Sequence, residues 1–280
     1  MKRNTVREIL SKKKSGKKIT VLTAYDYPLA ALIDQAGIDI ILVGDSLANV
    51  VLGLDSTKEV GMDEMIHHSK AVSRAVKKAM VVGDMPFDSY QINRKNAVKN
   101  AKRFIKEAGC DAVKLEWFDH CLEVTENVIK AGIPVMGHVG LTPQTLDKIG
   151  GYKIQGKDSD AAREIIERAM ALEKRGCFSI VLECIPAEVA KMITKKLSIP
   201  TIGIGAGIGC DGQVIVTYDL LGLFSKFHPK FVKQYANLSD IIGTAVRQYR
   251  QEVLTGKFPD DNHSYSIDPS ELEKLFKEVE

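Results

Sequence analysis

One pattern constrains this chain more than any other. A short β-branched apolar run, ending in Gly or Asp, is followed by a helix-like stretch, and the unit recurs eight times. The runs are Ile19–Tyr25, Ile38–Gly44, Met80–Asp84, Ala112–Glu116, Pro134–Gly140, Ser179–Cys184, Pro200–Ile204 and Val214–Tyr218. Amphipathic segments such as Met62–Ala79, Ser89–Ala108, Cys121–Ala131, Asp158–Arg175 and Pro186–Leu197 lie between them. Strands alternating with helices imply βαβ units and a parallel sheet. Near-continuous apolar strands imply burial on both faces. Eight such units in 280 residues predict one closed (β/α)₈ TIM barrel, a fold of ~250 residues. A doubly wound open sheet fits less well, because no Gly-rich turn follows the first run. One spacing is awkward: Gly205–Gln213 leaves no room for a normal helix between runs seven and eight. Either a short helical turn makes that crossover or a strand is misassigned. Residues 1–280 read as a single domain with a short basic N-terminal segment and a C-terminal tail. That tail is loop-like after Lys257, with a last short helix starting near Pro269-Ser270.

Composition narrows the setting. Hydrophobic residues make up 45% and charged residues 27%, as in ordinary soluble globular proteins. The five cysteines (Cys110, Cys121, Cys177, Cys184 and Cys210) are scattered, with no CxxC pair. That argues against a disulfide framework or structural zinc and for a reducing, cytoplasmic compartment. The longest aliphatic run, 38–43, is too short to span a bilayer, and no apolar signal core follows the N-terminal lysines. The net charge of +3 is unevenly divided: residues 1–18 hold eight Lys/Arg against one acid, so the body is mildly acidic. A lysine run without interleaved aromatics reads as a solvated helix and turn rather than a nucleic-acid site.

In a (β/α)₈ barrel the active site lies at the C-terminal ends of the strands. Asp45, Asp84 and Glu116 end three consecutive runs, and adjacent strands lie ~4.8 Å apart, so their oxygens can converge. Three converging carboxylates repel each other, which a hard divalent cation such as Mg²⁺ resolves. The competing reading is that each acid caps a helix or turn. Lys114 and Glu116 face the same side of one strand. Lys114 is therefore a candidate anchor for a substrate carboxylate, or else an ion-pair partner of Glu116. A Schiff-base lysine is disfavoured beside carboxylates that keep it protonated. Glu183, at the end of an apolar run, suits a proton acceptor or a helix-capping acid. His138 is a substrate contact or a satisfied structural histidine, and Tyr25 a substrate contact or barrel packing. His67-His68 show no metal spacing. The formal GxGxxG at Gly207–Gly212 precedes a strand, not the helix that a dinucleotide fingerprint requires. Cys184 has no activating base beside it.

Several stretches closely resemble the ketopantoate hydroxymethyltransferase family. They are Thr23-Ala24-Tyr25-Asp26, Val43-Gly44-Asp45-Ser46, Gly83-Asp84-Met85-Pro86-Phe87, Val113-Lys114-Leu115-Glu116, the run 137–144, the run 203–207, Cys210-Asp211-Gly212-Gln213-Val214 and, near the end, Phe258-Pro259 with His263-Ser264-Tyr265. The resemblance runs in order from about residue 5 to 266. It implies a barrel of the phosphoenolpyruvate mutase/isocitrate lyase type and a Mg²⁺-dependent enzyme of pantothenate, and so coenzyme A, biosynthesis. The implied reaction transfers a hydroxymethyl group from 5,10-methylenetetrahydrofolate to 3-methyl-2-oxobutanoate, giving 2-dehydropantoate. The resemblance assigns metal ligation to Asp45, Asp84 and Glu116, contacts with the 2-oxo acid to Asp45, Ser46, Asp84 and Lys114, and proton abstraction to Glu183. It implies a homo-oligomer, typically a decamer, with no nucleic-acid or membrane partner. Two other readings remain: another metal-dependent enolate-forming lyase on the same barrel, and a non-catalytic scaffold or nucleic-acid binder. The lyase reading lacks the catalytic Cys on a mobile loop that it would be expected to bring.

Overall fold

Eight parallel strands close on themselves in chain order, β1 pairing with β8, in the computed structural model, which describes residues 2–146, 153–224 and 229–279. The strands are β1 (Ile19–Thr23), β2 (Ile40–Val43), β3 (Met80–Asp84), β4 (Ala112–Glu116), β5 (Val135–Gly140), β6 (Ser179–Glu183), β7 (Thr201–Ile204) and β8 (Gly212–Ile215). The helices around and beneath them are α1 (Val6–Lys14), α2 (Tyr27–Gln35), α3 (Leu47–Val50), α4 (Met62–Ala75), α5 (Ala97–Lys106), α6 (Cys121–Lys130), α7 (Ser159–Lys174) and α8 (Ala187–Lys196). After β8 come α9 (Thr217–Leu220), α10 (Leu238–Leu254) and α11 (Pro269–Val279). The expected barrel is present, and α11 starts where the sequence places it.

Successive strand residues point to opposite faces, which splits the apolar residues in two. Ile19, Val21, Ile40, Leu42, Met80, Val82, Ala112, Met136, Val181, Ile202 and Val214 pack together inside the barrel. The alternate positions, such as Val81, Val113, Val135 and Leu182, pack against the surrounding helices. Gly83 belongs to this outward set because Phe104 of α5 lies directly over it. A Cβ there would sit 2.3 Å from the Phe104 ring.

Three segments differ from expectation, each for a reason that lies far away in the chain. The helix predicted to run to Ala79 stops at Ala75, because the buried Asp34 carboxylate accepts the backbone N–H groups of Lys77, Lys78 and Ala79. The helix predicted over Ser89–Ala108 breaks into turns at Asp88–Ile92 and Arg94–Asn96 before α5 begins. Asn93, Asn96 and Ser89 sit in this break; the Ser89 hydroxyl donates to Pro86 O, and side chains of this kind compete with helical backbone bonds. The last strand is Gly212–Ile215 rather than Val214–Tyr218. Thr217 leaves the sheet because its hydroxyl donates to Thr23 O and its N–H donates to Thr23 Oγ1, and it starts α9. The crossover into β8 is thereby made by turns alone over 205–211.

The basic N-terminal run is also not a free solvated helix. It forms the floor of the barrel. Ile9 of α1 is fully buried against the inner strand residues. Lys12 pairs with Asp39, Lys13 Nζ donates to Asp211 at 2.8 Å, and Arg3 reaches Asp111 at 3.2 Å. Each of these aspartates also accepts a strand N–H: Asp39 from Thr20, Asp111 from Val81 and Asp211 from Thr201. The lysines balance acids that hold the N-terminal ends of the strands.

The close approach of α5 to β3 is open to test. Gly83→Ala overpacks that contact and should cost about 1–3 kcal/mol, read as an earlier midpoint in urea unfolding. Adding Phe104→Leu should recover part of the loss. A Gly83→Ala protein as stable as the parent would contradict this packing.

Candidate active site

Opposite the floor, at the C-terminal ends of the strands, a cavity of about 520 Å³ opens. Asp45, Ser46, Asp84, Lys114, Glu116, His138 and Glu183 all line it. Period-two alternation brings them there. On β4, Ala112 belongs to the inner core, and Lys114 and Glu116 follow it on the same face. The sheet register then sets Asp84 beside Lys114 and Glu116 beside His138. Asp45 follows directly on β2, and its N–H donates to Asp84 Oδ2 at 3.3 Å. Tyr25 is not among the lining residues. It stands behind the wall, fully buried, with its hydroxyl 2.8 Å from Ser46 Oγ and its ring stacked on Tyr218.

Among the described residues, Lys114 is the one buried lysine or arginine. Its Nζ donates to both oxygens of Asp84, at 2.7 and 2.8 Å, and lies 3.8 Å from Glu116 Oε1. Burial opposes its charge, yet Asp84, Glu116 and Asp45 together outweigh that and hold its pKa above the usual value. One cation therefore faces four carboxylates. Burial, partly offset by Lys114 and reinforced by Asp45, raises Asp84 to about 7. Burial raises Glu183 to about 8, again offset by Lys114 and reinforced by Asp45 and Asp84. Burial also drives Glu116 well above the carboxylate range.

His138 is neutral here. Burial first, and then the Lys114 charge, push its pKa well below normal. Its Nε2 lies 2.7 Å from Leu141 O, which can only accept, so Nε2 carries the proton. Nδ1 is left as a buried lone pair with no partner, 3.7 Å from Glu116 Oε1. Nε2 lies 3.5 Å from Glu183 Oε2.

The turn after β5 closes over this group. Gly140 has φ +97°, and a Cβ there would meet Glu183 O at 2.2 Å, so only glycine lets the chain cross the end of β6. Cys184 follows Glu183 with φ +48°, a conformation unusual for a side-chain-bearing residue and one concentrated at functional sites. Burial pushes its thiol up to about 12, in keeping with the absence of an activating base.

Two residues to which the sequence pattern assigns no role belong to this site. Gln144 donates from its side-chain amide to Asp45 Oδ2 at 2.8 Å and from its backbone to Glu116 Oε2 at 3.0 Å. Tyr90 donates to Gln144 Oε1 at 2.6 Å. The only hint in the sequence is a polar residue placed just after Pro143, at the end of a strand.

Asp45, Asp84 and Glu116 offer oxygen donors alone, the preference of hard divalent cations. They are the residues able to hold one. As they stand, however, no group of three or more His, Cys, Asp or Glu side chains among the described residues is arranged around a common ion position. Lys114 fills the bite of Asp84, and Gln144 engages Asp45 and Glu116.

Comparison with known proteins places this chain in a family. The 3-methyl-2-oxobutanoate hydroxymethyltransferase of Syntrophomonas wolfei is 55% identical over 276 residues, covering 99% of this chain and 100% of that protein. The protein of the same name from Clostridioides difficile is 52% identical, covering 98% and 100%. Among solved structures, phosphonopyruvate hydrolase superposes with a TM-score of 0.61 at 14% identity, covering 100% of this chain and 96% of that one. The 2,3-dimethylmalate lyase of the PEP mutase/isocitrate lyase superfamily superposes at 0.58 with 13% identity, covering 98% and 99%. These two likenesses bear on fold alone and agree with the expected barrel type. The family profile of ketopantoate hydroxymethyltransferase matches residues 3–261, and the chain belongs to that family.

Proposed function

We propose that this protein transfers a hydroxymethyl group from 5,10-methylenetetrahydrofolate to 3-methyl-2-oxobutanoate, yielding 2-dehydropantoate for pantothenate biosynthesis, with Mg²⁺ as cofactor. The reaction rests on family membership over nearly the whole chain. The residue roles rest on one observation: a buried lysine set among four buried or part-buried carboxylates at the polar end of a cavity. The shared name of the relatives does not favour a carbon–carbon lyase on the same barrel.

The difficult step is loss of the C3 proton beside a ketone. Asp45, Asp84 and Glu116 would hold Mg²⁺, which would supply Lewis acidity toward the 2-oxo acid, worth several kcal/mol. Lys114, a neighbour of those acids, neutralises the substrate carboxylate. Ser46 and Asp84 add polar contacts, and Tyr25 supports Ser46 from behind through their hydroxyl contact. Glu183 accepts the C3 proton. Its raised pKa makes it a stronger base than an ordinary carboxylate. His138, neutral and with a free Nδ1 lone pair, is suited to accept a hydrogen bond from a hydroxyl or a water. The C3 carbon then bonds to the folate-borne one-carbon unit, water supplies the new hydroxyl, and tetrahydrofolate leaves.

The same reading extends to the setting. Residues 1–280 act as one barrel domain. The five cysteines are free, which supports a reducing cytoplasm, and no described helix is long and apolar enough to cross a membrane. Helix α10 has 17 residues and buries none of them, leaving Ile241, Ile242, Val246 and Tyr249 exposed. That face supports a homo-oligomer, and the family resemblance points to a decamer.

Product analysis tests the reaction. 2-Dehydropantoate should form only when 2-oxo acid, methylenetetrahydrofolate and divalent cation are all present. Cleavage of a 2-oxo or hydroxy acid without folate would point to the lyase reading instead. Single changes test the roles. Lys114→Met should weaken 2-oxo acid binding by ~2–5 kcal/mol, seen by calorimetry. Glu183→Gln should lower kcat by about 10²–10⁴ while the KM for the 2-oxo acid changes little. Unchanged affinity in the first, or lost binding with normal residual chemistry in the second, would contradict the assignment.

A further inference from the structure

Gln144 and Tyr90 are both completely buried, and their hydrogen bonds run in one direction. Gln144 Nε2 faces two groups that can only accept, Asp45 Oδ2 at 2.8 Å and Met85 O at 3.0 Å. Its Oε1 faces two donors, Tyr90 OH at 2.6 Å and Gln91 Nε2 at 2.9 Å. Tyr90 Oη in turn accepts the Glu116 N–H at 3.0 Å and a bond from Gln91 Nε2 at 3.1 Å. The amide therefore cannot flip, and the Tyr90 proton has one destination. The Gln144 N–H adds a bond to Glu116 Oε2 at 3.0 Å. One residue of the β5 turn thus ties down carboxylates from the ends of β2 and β4, on either side of Asp84.

All these donors are neutral. Gln144 and Tyr90 thus orient Asp45 and Glu116 without bringing a further cation to them. We propose that Gln144, locked by Tyr90, is a positioning residue that fixes the Asp45 and Glu116 carboxyl groups in place for a divalent cation. This deepens, and rests on, the reading of Asp45, Asp84 and Glu116 as its ligands.

The experiment is Mn²⁺ binding to the metal-stripped full chain, by calorimetry and by electron paramagnetic resonance of free Mn²⁺. It compares wild type, Gln144→Met, Tyr90→Phe, the double variant and Asp84→Asn, with thermal unfolding confirming that each is folded. Wild type should bind, and Asp84→Asn should lose binding. Gln144→Met should weaken binding by about 10–100-fold, as when partners behind metal ligands are removed. Tyr90→Phe should weaken it less, because Gln91 still reaches Gln144 Oε1. The double variant should be no worse than Gln144→Met, since both act through one amide. Should Gln144→Met fail to fold, Tyr90→Phe carries the comparison. Wild-type affinity in both folded variants overturns the positioning role and leaves the cation reading standing. Independent, additive losses overturn the shared route through the amide. No Mn²⁺ binding by wild type overturns both.

Discussion

Everything at the open end of this barrel is arranged around the Lys114–Asp84 ion pair. Both partners are buried, and the ammonium donates to both carboxylate oxygens. Removing one partner of such a pair costs about 3–5 kcal/mol, because the other charge is then stranded. Yet the pair does not balance the site. Asp45, Glu116 and Glu183 remain around it; burial, reinforced by Asp45, raises the pKa of Asp84, and burial, reinforced by Asp45 and Asp84, raises that of Glu183. Acidic groups outnumber the buried cation here, which suits a site that takes a divalent cation together with an anionic 2-oxo acid. The arrangement also sets a carboxylate with raised basicity within reach of the same cavity.

The rest of the molecule makes that arrangement tolerable. The inner apolar layers and the floor formed by α1 close the barrel beneath the charges. At that lower end charge is balanced locally, Lys12 with Asp39, Lys13 with Asp211 and Arg3 with Asp111. The two ends use acids in opposite ways. Below, aspartates accept strand N–H groups and carry their own cations. Above, carboxylates outnumber the buried cation and are held by neutral donors. Stability is concentrated at one pole and chemistry at the other, as the C-terminal placement of barrel active sites leads one to expect.

How much of this was legible in the sequence depended on how local the cause was. β3 and β4 could be read to the residue, because an apolar run bounded by turn residues is a local signal. The shared face of Lys114 and Glu116 followed from strand periodicity alone. The end of α4 could not be read, since Asp34 takes its last amides from across the fold. β8 was displaced because Thr217 answers to Thr23, 194 residues away. The floor is not visible in the sequence because Asp39, Asp111 and Asp211 are far from the lysines and arginine along the chain. The role of Gln144 is hidden for the same reason: its partner Asp45 lies 99 residues earlier. A glutamine after a proline advertises nothing until the fold brings Asp45 to it.

The proposed reaction requires this cavity to remove the C3 proton of a 2-oxo acid with the help of a divalent cation. Proton NMR of 3-methyl-2-oxobutanoate in D₂O, with the protein and Mg²⁺ but no folate substrate, tests it most directly. The C3 proton signal should be lost, and the loss should stop when the cation is chelated. Exchange that continues unchanged in excess chelator, or a C3 signal that persists with Mg²⁺ even after tetrahydrofolate is added, would contradict it.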